Sequence, residues 1–144
     1  MLNYITKSWV PTLIPRITAG LVFLSEGIQK FLLPDTLGAG RFAKIGIPHP
    51  EFWAPFTACF EITCGIALIL GLLSRLAAIP LVIVMIVAFI TTKYPELLEK
   101  GFWFFAHDYR PDFAMTMLLI FIICYGSGKY SLDQRLFNSR HILR

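Results

Sequence analysis

Glu26 and Lys30 stand four residues apart inside the first long apolar stretch of the chain. Glu61 stands in the second, Lys93 near the end of the third, and Asp112, with Arg110 just before it, opens the fourth. Arg16 lies low in the first stretch. An ionised side chain near a bilayer centre costs roughly 2.5–3.5 kcal/mol on insertion scales, so such residues persist where they pair, line a wet cavity or do chemistry. The chemistry open to this set is narrow. Glu26 and Glu61 can accept or relay protons, Asp112 gains from the dipole of the helix it opens, and Lys30, Lys93, Arg41 and Arg110 can polarise an oxygen of a bound group. Glu26 four residues ahead of Lys30 is also the favourable order for an ion pair along one helix.

The elements that must carry these residues follow from composition. The 144 residues are 56% hydrophobic and 15% charged, against about 45–50% and about 25% in soluble domains. The excess comes in blocks, and a membrane-spanning helix needs about 20 residues. The pattern predicts an all-α membrane protein, a bundle of four transmembrane helices in one domain covering residues 1–144. Its spans run over about 12–33, 52–73, 76–97 and 112–128. The fourth is short and needs tilt or its flanking residues to cross. The first is too long for the apolar core of a secretory signal, and no small-residue cleavage site follows it, so it is expected to remain as a helix.

Charge distribution orients the bundle. Lys7, Arg16, Arg75, Lys129, Arg135, Arg140 and Arg144 share one side. The other side holds Arg41, Lys44, Lys100 and Arg110, with Lys30 and Lys93 inside the helices. The positive-inside rule therefore puts both termini in the cytoplasm. The net charge of +4 is dispersed in this way, so a lipid bilayer is the expected partner and nucleic acid is not. Cys59 and Cys64 lie five apart on one helix, about 8–9 Å between Cα atoms, too far for a disulfide. Cys124 stands alone in the fourth stretch, so thiol redox chemistry is not expected. His49, His107 and His141 lie outside the helices and read as solvated.

Helical spacing then gathers the charges. Arg16, Gly20, Phe23, Gly27 and Lys30 form one stripe, and Ala54, Ala58, Glu61, Gly65, Leu68 and Leu72 another. Glycines on such stripes let two helices approach closely. Glu26 falls roughly 10 Å and Glu61 roughly 13 Å from the outer end of its helix. Lys93 and Asp112 lie near the same end, so all four helices are expected to deliver a polar group to one cluster in the outer half. Two readings stay open, a ligand pocket and a salt-bridge network that fixes helix order.

Between the helices, residues 35–51 form a long loop with a short surface helix over Leu37 to Ile45. Pro80 falls near the first turn of the third helix, and Pro95 ends it. Residues 96–111 read as an aromatic loop, either an interfacial belt or a lid in which Trp103, Phe104 and Tyr109 stack on a ligand. A short amphipathic tail begins at Ser131, Leu132 and Asp133.

The residues from Gly20 to Phe31, with Glu26, Gly27 and Lys30, resemble the first helix of the DoxX family. The resemblance continues through Arg41 and Phe42, Gly46 to Pro48, Glu61 with Gly65, and Leu70 to Leu72 with Arg75. Ala77, Ala78, Pro80 and Leu81 fit too, as do Arg110 with Asp112 to Met115, Gly126 with Gly128, and Ser131 to Asp133. It implies a four-helix, multi-pass protein of the bacterial cytoplasmic (inner) membrane. Some members are linked to redox complexes, among them a quinone-reducing thiosulfate oxidoreductase and an oxidative-stress complex. On that reading the chain is a redox-associated subunit that binds a quinone or similar lipophilic head group, at most as part of a quinone-linked oxidoreductase, with no covalent cofactor and no metal. A homo-oligomer or redox partner proteins would complete it. The rivals are a non-catalytic membrane scaffold and, last, a small-solute transporter, for which no internal repeat speaks.

Overall fold

The computed structural model describes residues 12–138, and no strand occurs among them. Four helices form a ring. α1 (Leu13–Leu32) packs along α3 (Pro50–Leu70), α4 (Ser74–Ala88) turns back beside α3, and α7 (Arg110–Tyr125) closes against α4 and α1. Short helices α2 (Ala39–Lys44) and α6 (Phe102–Asp108) sit in the two long connections, and α8 (Leu132–Asn138) follows the bundle. Pro11 and the tail cations Arg140 and Arg144, with Lys7 and His141, lie outside the described residues.

The two expected stripes are the buried faces of α1 and α3. Arg16, Gly20, Phe23 and Gly27 are buried on one, and Ala54, Ala58, Glu61, Gly65 and Leu68 on the other. Leu72 is exposed instead, because α3 ends at Leu70 and Gly71 turns the chain at φ +72°. The backbones touch where the glycines face each other. A Cβ on Gly65 would stand 2.9 Å from the Gly20 carbonyl oxygen and 2.9 Å from the Leu24 amide nitrogen. Gly65→Ala should therefore lower stability by about 1–3 kcal/mol through overpacking. Thermal unfolding in detergent checks this, and an unchanged midpoint would mean the two helices part without cost.

The third helix does not stop at Pro95. It runs unbroken from Ser74 to Lys100, 27 residues, through a π-turn at Phe89–Lys93. There the Tyr94 amide reaches back to the Phe89 carbonyl. The wider turn starts a fresh helix, α5 (Tyr94–Lys100), with Pro95 in its first turn, where a missing N–H costs least. Pro80 lies in the second turn of α4 rather than the first. The expected aromatic loop is also mostly helical: α5 breaks at Gly101 (φ +84°) and α6 follows. No Gly or Pro stands between Gly101 and Pro111, and the short helix α6 forms there.

α3 (21 residues) and the Ser74–Lys100 helix are long and apolar enough to cross a membrane. α1 carries Arg16, Glu26 and Lys30, and α7 has only 16 residues, so neither presents an equal uninterrupted length. The apolar core gathers at one end of the ring. α4 buries Ser74, Ala77, Ala78 and Leu81, all in its first half, and α7 buries Leu119 and Ile122, both in its second. This is the turn end, where the α3–α4 turn, the start of α1 and the end of α7 meet.

A polar knot ties that end together. Arg16, 2% exposed, donates to the carbonyls of Ser127, Tyr130 (2.8 Å) and Ile69 (3.5 Å). Asp133 accepts from the amides of Leu73 (2.7 Å) and Ser74 (3.4 Å), placing a carboxylate at the start of α4. From sequence Arg16 reads as an edge charge; in the fold it is an interior strut.

Candidate functional site

The buried residues of α4 and α7 lie near the turn end, and toward the loop end the ring opens around a cavity of about 770 Å³. Its ionisable lining comprises Glu26 and Lys30 from α1, Arg41 from α2, Glu61 from α3, Lys93 from the π-turn, and Asp108 and Asp112 from α6 and α7. Phe23, Phe42, Trp53, Phe56, Phe60 and Met115 supply much of the apolar wall.

The ionisable groups form two clusters. On one wall Lys30 Nζ lies 2.6 Å from Glu61 Oε2 and 3.8 Å from Glu26 Oε2. Glu61 is 3% exposed and Lys30 12%, so this pair joins α1 to α3 in the interior. Across the ring, Lys93 donates to Asp108 and lies 3.5 Å from Asp112 Oδ2 and 3.9 Å from Glu96 Oε2. No ion pair joins the two clusters among the described residues. The single cluster expected from depth alone thus becomes two facing groups, because residues at one height can still lie on opposite sides of a ring.

Arg41 lines the cavity from the short surface helix, which the structure places at Ala39–Lys44. Arg110 does not line it. Its guanidinium folds back onto its own turn, donating to the His107 carbonyl (2.7 Å) and lying 2.9 Å from His107 Nε2. The three aromatic lid candidates also stand apart from the cavity lining. Trp103 is 84% exposed, Phe104 sits under Lys100 Nζ (4.4 Å), and Tyr109 stacks on Phe105 with centroids 5.1 Å apart.

Sequence reasoning missed Asp108, which falls within the expected aromatic loop over residues 96–111, and the aromatic wall from α3. Both left a signal. Asp108 stands four residues before Asp112, one helical turn, and Trp53, Thr57 and Phe60 share a face at spacings of four and three. Among the described residues no group of His, Cys, Asp and Glu is arranged to hold a metal ion, and the three cysteines are free.

The hydrogen bond from Lys93 holds the Asp108 carboxyl below its ordinary value, outweighing burial, and the nearby Lys93 and Lys100 charges act in the same direction. A depressed folded value means the contact contributes stability above the unfolded value of about 3.9 and loses it as pH falls through the folded one. Amide exchange in Phe102–Asp108, corrected for intrinsic rate, should stay level from neutral pH to about pH 4 and rise below it. Asp108→Asn should flatten that profile, and an unchanged profile in the variant would assign the effect to another acid.

The DoxX family model matches residues 12–94. Among relatives, "Uncharacterized membrane protein Rv3486" of Mycobacterium tuberculosis is 50% identical over 127 residues, 84% of this chain and 78% of the relative. "Putative oxidoreductase CatD" of Bacillus subtilis is 26% identical over 132 residues, 91% of this chain and 90% of the relative. No solved structure matches significantly. The half-matched length and the 50% identity carry one conclusion: the chain is a membrane protein that belongs to the DoxX family.

Proposed function

We propose that this is a multi-pass protein of the bacterial cytoplasmic membrane, crossing four times with both ends in the cytoplasm, whose cavity binds the head group of a quinone-like redox carrier. The observation that carries the reading is the sharing of each ammonium that lines the cavity. Lys30 lies between Glu26 and Glu61, and Lys93 among Asp108, Asp112 and Glu96, from opposite walls of one cavity. The lining has three cations (Lys30, Arg41, Lys93) and four carboxylates (Glu26, Glu61, Asp108, Asp112).

A neutral ring with an oxygen at each end can take one hydrogen bond from each ammonium, while the aromatic wall covers its faces. Reduction of such a ring adds two electrons and two protons. The electrons would come from a redox partner, and carboxylates in excess over the ammoniums they face are suited to carry the protons. The oxidoreductase name of the Bacillus subtilis relative accords with this reading. The positive-inside count supports the orientation, because Arg16 in the turn-end knot and Arg75 in the first turn of α4 lie at the same end of the bundle.

One observation favours a scaffold instead. Lys30–Glu61 ties α1 to α3, and Lys93 ties the far end of the long helix to α6 and α7, as pairs that fix helix order would. Purification with native lipid retained separates the two readings. Co-purifying quinone, or saturable binding of an added naphthoquinone, supports the redox reading. Neither appearing, while Glu61→Gln still disturbs assembly, leaves the scaffold.

A further inference from the structure

The cavity has an apolar flank that faces outward between α3 and α4. These helices are antiparallel about the turn at residues 71–73 and rise equally per residue, so Phe60 stands level with Ile83 and Phe56 with Val87. Near the turn the helices pack. Beyond Leu81, however, the Ser74–Lys100 helix buries no residue at all. Phe56, Phe60, Ile83 and Val87 all line the cavity, yet they are 41–56% exposed. Side chains that both wall a cavity and lie exposed mark an opening, here a second one beside the loop-end opening, where Glu26 and Asp108 also line the cavity and are as exposed.

The chemistry of this mouth is one-sided. Residues 52–60 and 76–92 carry no charged side chain, whereas Glu61 and Lys30 lie behind them at the polar floor. In a bilayer, the surroundings at this height are acyl chains. A water-soluble solute gains nothing from such a passage and would have to cross lipid to use it. An amphiphile uses both parts, its head on the ion pair and its tail between the two helices.

We propose that the cavity is reached sideways from the bilayer through a portal between α3 and α4, and that its ligand is a long-tailed lipid whose tail stays between Phe56, Phe60, Ile83 and Val87. This rests on the head-group reading above and adds the substrate class, a tailed carrier rather than a free ring, and the route.

The test uses the full chain in nanodiscs with two ligands, a methyl-naphthoquinone ring without a side chain and the same ring carrying an isoprenoid tail. Quenching of Trp53, which lines the cavity, reports binding after Trp9 and Trp103 are replaced by Phe. The double substitution Ile83→Phe/Val87→Phe narrows the portal. It should weaken the tailed ligand about tenfold, in the range that overpacking costs, and leave the bare ring nearly unchanged. Equal losses for both ligands, or none for the tailed one, would overturn the portal.

A second measurement decides the matter if neither ring binds, the result that defeats the head-group reading. Thr57→Trp, as the only tryptophan, places a reporter in the cavity wall one turn from Glu61. Quenching by phospholipids brominated on their acyl chains, reduced by the double substitution, supports the lateral opening. Quenching by iodide alone means the cavity opens only to water and overturns it. Bromolipid quenching with no preference for the tailed ring means the portal admits only the bilayer's own chains, which overturns the assigned ligand.

Discussion

Glu61→Leu is expected to cost the folded protein about 3–5 kcal/mol, while Lys30→Met/Glu61→Leu should recover most of that loss. The asymmetry comes from where the charge is left. With Glu61 gone, the Lys30 ammonium stays at 12% exposure with only Glu26, at 3.8 Å, to face it. That residual partner puts the expected cost toward the lower end of the range. The double variant removes both charges and leaves two apolar side chains of similar size between α1 and α3. Unfolding in mixed micelles, followed by helix signal against denaturing detergent, measures both. A single variant as stable as the parent would mean that Lys30 escapes to the cavity mouth and that the interior pair contributes nothing. The same two variants separate stability from function, because a ligand held by this pair is lost in both, whereas a scaffold is damaged only in the first.

Arg16→Leu should be nearly as damaging, about 3–5 kcal/mol, since hydrogen bonds from a charged donor to three carbonyls disappear in a buried site. Arg16→Lys should rescue little. A single ammonium cannot span the carbonyls of Ser127, Tyr130 and Ile69 as the planar guanidinium does. The site is also tight around the guanidinium, and a Cβ on Gly71 would stand 2.6 Å from one of its terminal nitrogens. Hydrogen exchange should locate the damage in residues 127–136 and the α3–α4 turn, leaving amides around Lys93 and Asp112 protected as before. Uniform loss of protection would mean the two ends of the bundle unfold as one unit.

What the sequence discloses divides along the same line between local and long-range causes. The α1 and α3 faces are legible because a period near 3.6 repeats small and apolar residues around one acid. Gly20, Gly27 and Gly65 announce a close approach for the same reason. Lys93 is legible as an expensive charge, but its partners are not. Asp108 reaches it from α6, beyond the break at Gly101, after a helix that passes Pro95 by way of a π-turn the sequence does not advertise. The depth argument gives heights along the bundle axis and no angle around it, which is why one expected cluster becomes two facing groups. The place of Trp103, apart from the cavity lining, turns on a related point. Aromatic residues concentrated at a membrane edge share their composition with a lid, and only the fold shows that Trp53, Phe56 and Phe60 wall the cavity instead. Arg16 is the plainest case, since nothing within a few residues of it foretells carbonyls more than a hundred positions away.

The central claim, that the interior ion pair of the cavity is a binding site for a quinone-like head group, is tested most directly by equilibrium binding of the bare naphthoquinone ring in nanodiscs. The parent chain and the Lys30→Met/Glu61→Leu variant are compared at matched stability. Saturable binding to the parent is expected, weakened about tenfold or more in the variant, as loss of a charge-assisted hydrogen bond requires. Equal affinity in the two proteins, or no binding to the parent, would contradict it.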